Sequence, residues 1–193
     1  MSTEKERGME RMLNLLQKRR SIRRFTDEPI IEEQIVEILQ SALLAPSSKS
    51  IRPWEFIVVN ARTTLTQLVQ ARKPAMTFLG EAQAAIVVLA DTSKNDVWVE
   101  DCAIAAVLMQ LAAADLGLGS CWVQIRNRQS SEEGVDSDQY VRRLLGIPEG
   151  YAVEAVIALG HPAEEKKPVP LDKLMYQKVH QESFGQAYFK PNR

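Results

Sequence analysis

Along this chain, apolar residues recur at helical spacing in some stretches and gather into short runs in others. Met9, Met12, Leu13, Leu15 and Leu16 share one face of a helix predicted over Met9–Lys18. Thr26-Asp27-Glu28-Pro29 reads as a turn, and a second helix follows over Ile31–Leu44, carried by Ile35, Ile38, Leu39 and Ala42 and stopped by Pro46. Trp54–Val59 is aromatic and β-branched, the pattern of a strand. Thr63–Arg72 reads as helix, and Ala85–Ala90 as a strand buried on both faces. Val97–Leu116 is the longest predicted helix, apolar on several faces, and Gly117-Leu118-Gly119 closes it. Then come a strand over Ser120–Ile125, a polar loop over Arg126–Ser137, a helix over Asp138–Leu145 ended by Gly146-Ile147-Pro148, and a strand over Tyr151–Leu159. Beyond Gly160 the chain turns rich in Pro, Lys and Glu, and a tail over Gln186–Arg193 has too little apolar content to form a core of its own.

At 193 residues, with no internal repeat and no dividing linker, the chain is expected to form one domain over 1–193. A net charge of −1 gives no general attraction to nucleic acid or membrane, so partners of neither kind are expected. Met1–Arg7 is polar and charged, unlike the apolar core of a signal peptide. The two cysteines, Cys102 and Cys121, form no CxxC pair, which fits a reduced, cytoplasmic protein. His161 and His180 stand far apart without nearby cysteine, so no metal site is expected. The run Cys102–Leu118 is interrupted by Gln110 and Asp115 and reads as a buried helix, not a membrane span.

The chemistry concentrates in two segments, Arg19-Arg20-Ser21-Ile22-Arg23-Arg24-Phe25 and Ala45-Pro46-Ser47-Ser48-Lys49-Ser50-Ile51-Arg52-Pro53-Trp54. Each sets cationic groups among hydroxyls beside a helix end, the donor set that holds a phosphate dianion. Cations at the end of the first helix also suit its C-terminal dipole, so the cluster taken alone has a purely structural explanation. The helix between the segments leaves room for both to close on one ligand. Gly117-Leu118-Gly119 follows a helix and precedes a strand, the reverse of the order a Rossmann dinucleotide site requires. Trp54 reads as core, and Trp122 as either core or a pocket wall. Cys121 has no evident base beside it and reads as packing.

Four pieces of sequence in order carry a resemblance. Arg-Arg-Ser-Ile-Arg-Arg-Phe at 19–25, Ala-Pro-Ser-Ser at 45–48 ahead of Pro53-Trp54, Gly-Leu-Gly-Ser-Cys-Trp at 117–122, and Leu-Gly-Ile-Pro at 145–148 with Ala158–Glu164 resemble the motifs of FMN-dependent nitroreductases. The resemblance implies an α+β fold, with a mixed or antiparallel sheet of about four strands flanked by helices. It implies an intertwined homodimer with FMN at the subunit interface, and a C-terminal tail from about residue 164 that wraps the partner. It further implies an enzyme moving two electrons from NADH or NADPH through flavin to nitroaromatics, quinones or similar small molecules by a ping-pong cycle. By motif position, Arg19, Arg20 and Ser21 would hold the phosphate side, and Arg23 would sit at the pyrimidine edge. Pro46, Ser47 and Ser48 would come from the other subunit, Ser50 would also bind the cofactor, and Val123, Gln124 and Ile125 would offer backbone groups to the ring. Lys166 or Lys167 would return to the phosphate. Ser50 and Arg52 stand where many relatives carry Asn and Gln. The flavin does the chemistry, so no catalytic side chain is expected. A flavin-binding sensor with incidental reductase activity satisfies the same motifs, and turnover separates the two.

Overall fold

The computed structural model describes residues 4–189, with side chains from residue 11 onward, so Met1–Thr3, Lys190–Arg193 and the Met9 side chain lie outside the description. Its elements run α1 (Glu4–Lys18), α2 (Glu32–Leu43), β1 (Trp54–Val59), α3 (Arg62–Leu68), α4 (Phe78–Glu81), β2 (Ala84–Asp91), α5 (Trp98–Asp115), β3 (Gly119–Gln124), α6 (Ser137–Leu145) and β4 (Tyr151–Gly160). The strands form one antiparallel sheet in the order β1-β2-β4-β3, an α+β arrangement as expected. The four predicted strands fall within one residue of the observed ends. The predicted helix over Thr63–Arg72 is instead the short α3, continued by a turn of 3-10 helix over Val69–Ala71.

β2 lies inside the sheet and is buried on both faces, which explains its unbroken apolar run. Its alternation feeds two cores. Ala85, Val87 and Leu89 pack with Leu65 and Leu68 of α3, Leu79 of α4 and Val141 of α6. Ala84, Ile86, Val88 and Ala90 pack with Ile38 and Ala42 of α2 and with Cys102, Ala105, Ala106 and Met109 of α5. Each Val, Leu or Ile buried this way contributes about 1.5–3 kcal/mol, so the sheet is held by helices on both faces. The pairing of β2 with β4 slips between Val88 and Leu89, leaving Glu154 as the unpaired residue of a bulge.

α5 ends in a Schellman arrangement: Gly117 takes φ 77°, the Leu118 N–H donates to the Ala113 carbonyl and that of Gly117 to Ala114. Gly119 serves a different purpose. A Cβ there would stand 2.8 Å from Cγ2 and 2.9 Å from Cβ of Ile22, so only glycine lets the segment after α1 lie against β3. Gly160 does the same for Phe25, whose ring would be 2.7 Å from an added Cβ. Through these contacts the Ile22 N–H donates to the Ser120 carbonyl at 2.9 Å, and Ser21 bridges Ser120 in parallel.

Apolar residues remain uncovered on α1 (Met12, Leu13, Leu16), on α5 (Ile104, Val107) and at Leu44, which is 83% exposed. From Leu171 to Phe189 every residue is exposed, with Met175, Phe184 and Tyr188 among them. Among the described residues, the hydrogen bonds of this stretch close on the stretch itself, as in Tyr188 N–H to the Val179 carbonyl at 3.0 Å. The tail therefore folds back on itself without joining either core.

The Gly119 contact yields a stability test. Gly119→Ala should destabilise the protein by about 1–3 kcal/mol through overpacking. That corresponds to a fall of several degrees in Tm, at roughly 2–4 °C per kcal/mol for a chain of this size. Gly80→Ala, whose Cβ would meet only Val69 at 3.4 Å, should change Tm little. Equal melting of the two variants in a thermal scan would contradict the packing role.

Candidate functional site

The segment laid against the start of β3 builds a cationic cleft of about 170 Å³. Lys18, Arg19 and Arg20 enter it from the end of α1, Gly117, Leu118 and Ser120 from the turn into β3, and Lys166 from the return after β4. The cations outnumber the two carboxylates present, Glu164 and Glu165. Lys166 Nζ donates to the Ser21 carbonyl at 2.5 Å and pairs with Glu164 at 3.3 Å, so it is fixed across the cleft. The Arg20 guanidinium donates to the Lys167 carbonyl at 2.5 Å. Of the two expected lysines, then, Lys166 brings its charge to the cleft, while Lys167 contributes through its main chain. Among the described residues the Arg19 guanidinium makes no hydrogen bond or ion pair.

Glu164, placed in the sequence only within a motif, anchors the cleft. Its carboxylate accepts the Arg23 N–H at 2.6 Å. That bond, then Lys166, holds its carboxyl below the usual carboxylate range. A depressed carboxylate keeps its bond above the ordinary value and loses it as pH falls through the lowered one, so the anchor is intact at neutral pH. Arg23, Lys166 and Arg19 also bear on the buried Cys121 thiol, so all three cations lie near it. Burial outweighs their pull and pushes that thiol up. The Cys102 thiol is pushed up to about 12, first by burial and then by Glu154 and Asp101. Both cysteines are free, and neither is a nucleophile at neutral pH, in keeping with the reading of Cys121 as packing.

The second segment sits elsewhere. Pro46 is exposed, and Ser48–Ser50 form a single 3-10 turn held by Asp101, 3% exposed, whose carboxylate accepts the Ser48 N–H at 2.9 Å and the Asn95 amide at 2.7 Å. The Ser47 hydroxyl accepts the Arg52 N–H at 2.8 Å. Lys49, Ser50 and Arg52 all have positive φ (50°, 56° and 52°), a conformation costing a non-glycine residue about 1 kcal/mol or more. Asp101 opens α5, whereas Ala114 and Gly117, at its other end, line the cationic cleft. At 1.5 Å per residue these places are roughly 20 Å apart. The two segments therefore stand at opposite ends of α5 in one chain.

β3 is the outer strand, and the alternation of its hydrogen bonds decides which groups it offers. Because the Ser120 carbonyl faces Ile22, Ser120, Trp122 and Gln124 turn their main-chain groups away from β4, while Cys121 and Val123 turn theirs toward it. Ile125 is engaged on both sides, donating to the Glu154 carbonyl at 3.1 Å and accepting the Arg128 N–H at 3.2 Å. Of the expected trio, Gln124 turns its backbone groups outward, as does Trp122, whose carbonyl also receives the Cys121 thiol at 3.7 Å, while those of Val123 face β4. The Gln124 side chain receives the Trp122 indole N–H at 3.0 Å and donates to Glu154, 5% exposed, at 3.1 Å. Trp122 is a half-buried wall beside this edge, whereas Trp54 is core and stacks on Phe56 at 5.3 Å. Glu154 was legible as the lone charge inside apolar β4, and Asp101 as one of two acids in the first turn of α5. Which main-chain groups they and their neighbours would hold was not.

Among the described residues no helix is long and apolar enough to cross a membrane. The model of the Nitroreductase family matches residues 16–77 and 61–161. A protein of Archaeoglobus fulgidus whose name joins NADH dehydrogenase to NAD(P)H nitroreductase is 41% identical over 165 residues, covering 82% of this chain and 89% of its own. The solved structure of an FMN-dependent nitroreductase from Clostridium difficile R20291 superposes with a TM-score of 0.87 at 48% identity, covering 90% of this chain and all of that one. A nitroreductase from Desulfovibrio desulfuricans solved in complex with FMN gives a TM-score of 0.69 at 28% identity, over 88% of this chain and 97% of that one. With the motifs, the antiparallel sheet and the cationic cleft in agreement with these matches, the chain belongs to the nitroreductase family.

Proposed function

We propose that this protein is an FMN-dependent NAD(P)H oxidoreductase, working as a cytoplasmic homodimer formed from one domain per chain, that reduces nitroaromatics, quinones or similar flat acceptors by a ping-pong cycle. The observation that carries the reading is the cleft in which Arg19, Arg20 and Lys166 converge at the start of an open strand edge. A phosphate dianion needs several charge-assisted hydrogen bonds to leave water, and these residues supply them. The outward-facing main-chain groups of Trp122 and Gln124 continue from the cleft along β3, where they suit the polar edge of a flavin ring. FMN supplies the two-electron chemistry when bound, and this chain's residues hold and orient it. Arg23, whose N–H is held by the cleft carboxylate Glu164, would favour negative charge at the pyrimidine edge.

Pro46, Ser47, Ser48 and Ser50 enter this reading from a second copy. The Asp101-held turn stands roughly 20 Å from the phosphate cleft of its own chain, and the motif positions assign it to the FMN of the partner. The uncovered apolar faces of α1 and α5, together with a tail that joins neither core, support a partner that buries them. Donor and acceptor would take turns at one open face, which accounts for a chain without a dinucleotide-binding fold of its own.

Arg19→Ala should weaken FMN binding by about ten- to a hundredfold, the loss of one charge-assisted contact worth roughly 1.5–3 kcal/mol. Arg24→Ala should leave affinity nearly unchanged, since Arg24 does not line the cleft and meets Ala163 through its carbonyl. Equal losses in a flavin titration would refute the placement. Mixing Arg19→Ala chains with chains carrying Ser47→Ala and Ser48→Ala tests the shared site. A verified heterodimer should gather both lesions into one site and leave the other whole, recovering up to half the wild-type flavin. Heterodimers that recover none would exclude it. Steady-state oxidation of NADH or NADPH with menadione should proceed with parallel double-reciprocal lines. Flavin binding without turnover would instead mark a sensor.

A further inference from the structure

A second cavity, of about 390 Å³, opens beyond the end of β3 between Trp98, the Arg126–Gln129 turn and the start of β4. Its walls are rigid. The N–H groups of Ile125 and Arg126 both donate to the Glu154 carbonyl at 3.1 Å, that of Arg128 to Ile125, and that of Ser137 to Arg128. Asn127 holds a left-handed φ of 57° between the two arginines, a turn conformation that asparagine takes readily. The Arg126 guanidinium lies 5.8 Å from the centre of the Trp98 ring.

The charge of the cavity is unevenly spent. Asp138 accepts the Val153 N–H at 2.7 Å and pairs with Arg142 at 2.8 Å, and Asp136 caps α6 through the Gln139 N–H at 2.7 Å. Arg126 and Arg128, by contrast, have no carboxylate partner among the described residues. One guanidinium over an indole face and a second beside it on the turn, bonded among the described residues only to the Asn127 carbonyl at 3.0 Å, match a flat molecule bearing an oxyanion. Arg126 lies two residues past Gln124, about 7 Å along the strand direction, so the cavity adjoins the edge assigned to the flavin ring.

We propose that this cavity is the subsite for the carboxylate of a planar electron acceptor, and that it makes the protein select anionic over neutral acceptors. The proposal rests on the flavin reading for its role in turnover but not for its binding chemistry. The test is calorimetric titration of the protein as purified with 4-nitrobenzoate and with 4-nitrobenzamide, near-isosteres differing in charge. The expected result is at least tenfold tighter binding of 4-nitrobenzoate, lost in an Arg126→Gln, Arg128→Gln double variant and partly kept in Arg126→Lys. Equal affinity in the wild type, or a difference that survives in the double variant, would overturn the proposal. So would a preference for NADPH over NADH that the double variant abolishes while the nitro compounds remain undistinguished, since the pocket would then serve the donor's phosphate. A colourless protein that still discriminates the two nitro compounds would sink the flavin reading and leave this subsite standing.

Discussion

The contact of Ile22 and Phe25 with the bare backbone of Gly119 and Gly160 positions everything else in the site. Without a side chain on those strands, the segment after α1 lies close enough for Ile22 to bond Ser120 and for Thr26 to bond His161, at 2.9 Å each. That lay-on turns Arg19 and Arg20 toward the end of α5 and leaves Glu164 and Lys166 facing them from the return after β4. It also covers only the first part of β3. Past Ser120 the outer main-chain groups stay open, so a phosphate-sized cation cluster and an unpaired strand edge become neighbours.

The length of α5 imposes the second constraint. One end anchors the serine turn through Asp101, and the other floors the cationic cleft. A buried helix of this length is a rigid spacer, so the two motif segments are held roughly 20 Å apart on one chain. In the proposed dimer the same spacing becomes useful, because each copy would supply its serine turn to the other's cleft. The strain stored in Lys49, Ser50 and Arg52 then has a purpose, presenting the turn in one fixed shape that Asp101 over-determines.

Much of this was written in local pattern. The unbroken run of β2, the β-branched β1 and the glycine-closed end of α5 each carry their own signal, and each element forms where that signal places it. The motif residues Arg19, Arg20 and Lys166 do converge, because their role follows from charge and chain order. What the sequence hid depends on tertiary pairing. The direction of β3's main-chain groups is set by Ile22 reaching Ser120, a contact between residues far apart in the chain, so the offered groups shifted from Val123 and Ile125 to Trp122 and Gln124. Likewise, nothing local to Ser47 or Ser48 says that their turn is tied to the opposite end of a helix from Arg19.

The account stands on a flavin nucleotide held by its phosphate. The most direct measurement is the visible spectrum of the purified protein, followed by denaturation and identification of the released cofactor. A yellow protein yielding FMN at one per chain is the predicted result. A protein that is colourless and stays so after incubation with FMN, or that releases FAD instead, would contradict it.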